Sequence, residues 1–180
     1  MEQSPENSSD LDIALGKICN LFGNPSHWST GQRKTSLPGS GRPHVFHIFQ
    51  STELANITTA LEVAKIRSVV IIGINPIAFS IGFALKQLQF KVSLVASGQE
   101  TPNVIERLHT SEVASFLECH GIIVHPCPAK SLRGSQVHCQ SGYCGFVCEG
   151  RFIKESDEVG CIVTERGNVY ADAVIIVEAE

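Results

Sequence analysis

Ser68-Val69-Val70-Ile71-Ile72-Gly73-Ile74-Asn75-Pro76-Ile77-Ala78, followed at a helix-length interval by Lys91-Val92-Ser93-Leu94-Val95-Ala96, decides the fold. A short, uninterrupted run of β-branched residues fits a strand buried on both faces, as in a parallel sheet. Gly73 ends the run, and Pro76 sits where a first helical turn tolerates proline. The spacing predicts a helix from Pro76 to Gln89 and a second parallel strand over Lys91–Ala96. Strand, tight glycine turn, helix and strand form the unit that seats a dinucleotide, with its pyrophosphate on the helix N-terminus. Gly73 supplies the first position of that turn and Ala78 is small enough for the third. Asn75 brings a side chain to the second position, where phosphate is expected to approach the backbone. Ala96 stands where an acidic residue would hold the adenosine ribose.

The flanks extend the same rhythm. Thr52 is expected to cap a helix reaching Lys65, with Leu54, Ile57, Leu61 and Ala64 on its apolar face. Thr110 and Ser111 are expected to open a helix that ends near His120-Gly121, and Ile122–His125 reads as a third parallel strand. Val45–Phe49 reads as a short extended segment. After Pro128 the punctuation shortens (Ser141-Gly142, Glu149-Gly150, Arg166-Gly167-Asn168), which predicts antiparallel hairpins. Ala173–Val177 is apolar again and is expected to return to the parallel sheet. The fold class predicted is α/β: a Rossmann-type parallel sheet with helices on both faces and an antiparallel β insertion. Upstream, Met1–Asp10 reads as disordered, Leu11–Phe22 as a short helix, and Asn24–Pro43 as loop.

Composition narrows the function. The chain has 180 residues, is 43% hydrophobic and carries a net charge of −4, with no basic run to meet nucleic acid. No segment approaches the ~18 apolar residues of a membrane span. Seven cysteines, an odd number unevenly spaced, read as reduced thiols of an intracellular protein. The polar, acidic start is unlike a mitochondrial leader, which favours the cytoplasm.

Four segments in order carry a family resemblance. Ser29-Thr30-Gly31 with Leu37-Pro38-Gly39 is similar to an "ATG…PG" segment. Val45-Phe46-His47-Ile48 is similar to "VF-x-L", although Phe49 replaces an Arg. Val69–Val95 is similar to "VVVIGGGYIGLELA…VTVVE", and Asn168–Ile176, containing Ala171-Asp172, to "I-x-AD-x-V-V-V". Together, from Trp28 to Val177, they resemble the FAD-dependent pyridine nucleotide–disulfide oxidoreductases. Gln99–Pro102 and Ser131–Gly134 lean to the apoptosis-inducing-factor-like branch. Asn75, Ser80 and Ala96 replace a Gly and two Glu of the family pattern.

The resemblance implies a tail over residues 1–27, a remnant of a FAD-domain segment and linker over 28–50, and an NAD(P)-binding domain over 51–180. It implies NAD(P), held weakly over Gly73, Asn75, Pro76 and Ala78 with the ribose near Ala96. FAD is expected from the family but not held by this chain alone, so a flavin-bearing chain or a homo-oligomer is the implied partner. Three readings stay open: the NAD(P)-binding domain of an NAD(P)H-dependent flavin oxidoreductase, a cofactor-free pseudoenzyme serving as an interaction domain, and a piece of a longer product.

No catalytic residue or metal ligand is predicted. Cys139, Cys144 and Cys148 beside His138 lack the paired spacing of a zinc site and read as thiols without metal. Cys139 and Cys144 share the family's redox spacing but lie outside its flavin domain. Ser80, His120 and Asp172 form a triad only on paper, and Asp172 reads as a residue that orients a strand start. His125, at the other end of its strand from His120, reads as structural.

Overall fold

The computed structural model describes residues 37–48, 53–98, 112–139, 147–148 and 151–177. Expectations for the tail, the Thr52 cap, Thr110, Ser111 and the Cys144 region fall outside them. The order of elements is β1 (Val45–Ile48), α1 (Leu54–Val63), β2 (Ser68–Ile72), α2 (Pro76–Gln87), β3 (Lys91–Ala96), α3 (Glu112–Cys119), β4 (Ile122–Cys139), β5 (Val147–Cys148), β6 (Arg151–Thr164), β7 (Gly167–Tyr170) and β8 (Ala173–Val177).

These strands form one mixed sheet in the order β1-β8-β2-β3-β4-β6-β5, with β7 paired to β6. β1, β8, β2, β3 and the first part of β4 run parallel. The in-register partners Ile71↔Leu94 and Ile71↔Ile175 place β2 at the centre of that region. β4 was expected to stop at His125. It continues to Cys139, because Pro126-Cys127-Pro128 falls at a register shift against β3. Proline has no N–H to give a ladder and is tolerated at such irregularities. Beyond that point β4 turns antiparallel and pairs with β6. The hairpin set and the return of Ala173–Val177 are both as predicted.

The period-2 alternation of the central strands builds two cores. Val69 and Ile71 of β2, Val92, Leu94 and Ala96 of β3, and Ala173, Ile175 and Val177 of β8 face one cluster, which also takes Ile57 and Leu61 of α1, Phe79, Ile81 and Leu85 of α2, and Leu117 of α3. Val70, Ile72, Val95, Val174 and Ile176 face the other, with Leu132, Val159 and Ile162 of the antiparallel ribbon and Leu37. All three described helices pack on one face of the sheet. The opposite face is covered by the β ribbon, because β4 and β6 fold back over it and satisfy their own backbone bonds there. Each fully buried Leu or Ile of these layers contributes roughly 1.5–3 kcal/mol.

Helix ends are set locally. α1 and α2 both finish in a paired bonding pattern: Lys65 N–H to Glu62 O and Ile66 N–H to Leu61 O, then Gln89 N–H to Lys86 O and Phe90 N–H to Leu85 O. Lys65 (φ 56°) and Gln89 (φ 67°) take the left-handed position usually given to glycine. Buried Ile66 and Phe90 then anchor the next strands. Ala64 was expected on the apolar face of α1 but is the exposed cap residue, since the helix has already ended.

Residues 37–48 are integrated into this body. Leu37 and Ile48 are buried, Pro38 O accepts from Leu132 N–H, and His44 O accepts from Val174 N–H. Gly39 (φ +88°) lies so close to β4 that a Cβ there would come within 2.3 Å of Leu132 O. That contact explains the glycine of Leu37-Pro38-Gly39.

Candidate functional site

Parallel sheets of this kind bind ligands at the carboxyl ends of the strands, where successive connections leave in opposite directions along the sheet. Here β2 lies in the middle of the parallel region, between β3, to which its chain proceeds, and β8. Gly73 stands at the carboxyl end of β2. Its N–H donates to Val95 O at 2.9 Å, which carries the ladder one residue past the strand. Its φ of +132° belongs to the region that favours glycine, so this residue is set by backbone conformation.

Ile74 is buried beneath the turn, and Asn75 follows in an extended conformation (φ −151°, ψ 167°) as the N-cap of α2. Asn75 Oδ1 accepts the Ala78 N–H at 2.9 Å, while Asn75 O accepts from Phe79 N–H at 3.1 Å. Pro76 is the first helical residue and has no N–H. The start of α2 therefore offers few donors to an anion: Pro76 contributes none and Ala78 is engaged by the cap. Ala78 itself is fully buried, which lets the helix pack closely on β2.

Gly73, Asn75, Pro76 and Ala78 are thus brought together in one turn. Ala96 ends the neighbouring strand, but its methyl is fully buried in the helix-side core. The partly exposed Ser97 is the first group beyond it. As folded, the donor set does not fit a dinucleotide diphosphate: its helix end is self-capped and the ribose position is an alkyl group inside the core.

The remaining polar groups serve the frame. Asp172 Oδ2 accepts from Arg67 N–H (3.1 Å), Ser68 N–H (2.9 Å) and Ser68 Oγ (2.9 Å), and Asp172 N–H points back to Ser68 O and Oγ. Partial burial works to raise its pKa. The Ser68 hydroxyl and the two N–H groups outweigh it and hold the carboxyl below its ordinary range. Asp172 thus ties the start of β8 to the start of β2, as a strand-orienting residue should. His120 faces the rings of Phe83 and Phe116, at 5.6 and 4.3 Å between centroids, with Nδ1 2.8 Å from Phe116 O. With Asp172 committed to Ser68 and Arg67, and His120 to α2 and α3, no triad with Ser80 is assembled. His125 pairs with Val95 at the end of the parallel part of β4, and burial lowers its pKa. No group of three metal-ligating side chains occurs among the described residues.

One cluster had no signal in the sequence. Arg42 donates to Ser156 O (2.9 Å) and pairs with Glu155 Oε1 (2.6 Å), which also accepts the Gly134 N–H at 2.7 Å. The partners lie more than a hundred residues from Arg42, so local spacing cannot reveal them. They fasten the segment before β1 to the ribbon, away from the glycine turn.

No protein-family model matches the chain, and no curated protein matches it. Solved structures do. A FAD-dependent pyridine nucleotide-disulphide oxidoreductase from Desulfovibrio vulgaris is 17% identical with a TM-score of 0.55, the match covering 80% of this chain and 32% of that one. A NAD-dependent persulfide reductase from A. fulgidus is 16% identical with a TM-score of 0.52, covering 78% and 23%. A ferredoxin reductase from Rhodopseudomonas palustris is 17% identical with a TM-score of 0.50, covering 81% and 31%. The chain thus has the fold of the FAD/NAD(P)-binding Rossmann-like oxidoreductases. It spans about a third or less of each of these proteins.

Proposed function

We propose that this chain is an NAD(P)-binding domain of the kind used by FAD-dependent NAD(P)H oxidoreductases of the pyridine nucleotide–disulfide class, diverged at its phosphate turn. The observation that carries the reading is the Gly73 turn, with φ of +132°, at the carboxyl end of β2, which lies between β3 and β8 in the parallel region. The shared fold and the four ordered sequence segments support it. When bound, NAD(P)H would supply hydride to a flavin, and FAD would be held by a separate chain or by a part of the protein outside the described residues. On this reading a nucleotide would be held only weakly over Gly73, Asn75, Pro76 and Ala78, since the helix end is self-capped and the buried Ala96 methyl offers the ribose no hydrogen bond. Within the class, the Gln99–Pro102 and Ser131–Gly134 segments lean towards the apoptosis-inducing-factor-like branch.

Calorimetric titration with NADH and NADPH tests the domain reading. Weak saturable binding of either is expected, and a flat titration at millimolar ligand would remove it. A cofactor-free interaction domain is the second reading, favoured by the self-capped helix and the buried Ala96 methyl. It predicts melting curves that do not move with NAD(H) or FAD, whereas a shift of several degrees excludes it.

A further inference from the structure

We draw no further inference here: the strongest candidate, the corner of the ribbon-side sheet face where exposed Ile123 of β4 lies beside Ser93 of β3, is an unpartnered apolar surface, and nothing in the structure shows what covers it.

Discussion

Removing the Asp172 carboxylate should loosen the sheet at the amino ends of β2 and β8, in a pH-dependent way whose sign follows from the geometry. One oxygen accepts three bonds, from Arg67 N–H, Ser68 N–H and Ser68 Oγ, at 3.1, 2.9 and 2.9 Å. Bonds to a charged acceptor contribute about 1.5–3 kcal/mol when well buried, but Asp172 is exposed and water replaces part of each. Asp172→Ala is therefore expected to cost about 1–2 kcal/mol in total, and Asp172→Asn, which keeps a neutral acceptor, roughly half of that. At this chain length each kcal/mol moves the melting temperature by about 2–4 °C.

The native pKa lies below the unfolded one. The stabilisation is thus fully present above the unfolded pKa, and it fades as pH falls through the native value. Urea unfolding of the parent and Asp172→Asn should show a constant gap from neutrality down to about pH 5, closing in the acid range below about pH 4. A gap below about 0.3 kcal/mol at pH 7, or one that widens on acidification, refutes the role assigned to this residue.

Other changes test the frame and its thiols. Gly39→Ala combines a left-handed φ with an overlap on Leu132 O and should cost more than about 2 kcal/mol, read by urea unfolding. Phe79→Ala empties a fully buried position between α2 and the sheet and should cost about 3–5 kcal/mol in the same assay. Gln89→Gly relieves the left-handed residue that ends α2 and should raise stability by about 0.5–1 kcal/mol, a gain visible in thermal melts. Exposed Cys119 should react with iodoacetamide before Cys161, whose thiol is buried and whose pKa burial pushes up, as resolved by peptide mass mapping.

The parallel region was legible because its signals are local. Val69–Ile72 and Ala173–Val177 are apolar runs with no polar face, and Gly73 and Pro76 bracket a turn within four residues. The ribbon was legible only in outline. Pro126 and Pro128 look like the end of a strand, and nothing nearby tells that Ala129–Cys139 will pair with β6, whose partners lie from Phe152 to Thr164. The one-sided arrangement of the described helices was hidden for a related reason. An apolar run buried on both faces does not say whether helix or sheet covers each face. At the candidate site, sequence alone pointed to the Gly73 turn and to Asn75 within it, but not to the bond that Asn75 Oδ1 accepts from Ala78 N–H. The Ala96 methyl was placed beside a ribose because its position in the motif was right. The alternation of β3 instead points it into the core with Val92 and Leu94.

We propose that a weak nucleotide site persists at the Gly73 turn. Its most direct test is a titration of the isotope-labelled protein with ADP-ribose, followed by the backbone amide resonances. The account predicts saturable shifts centred on Gly73, Ile74, Asn75, Ile77 and Ala78, with Ser97 and Gly98 following. Spectra that stay unchanged to millimolar ligand, or shifts confined to the β4–β6 ribbon, would contradict it.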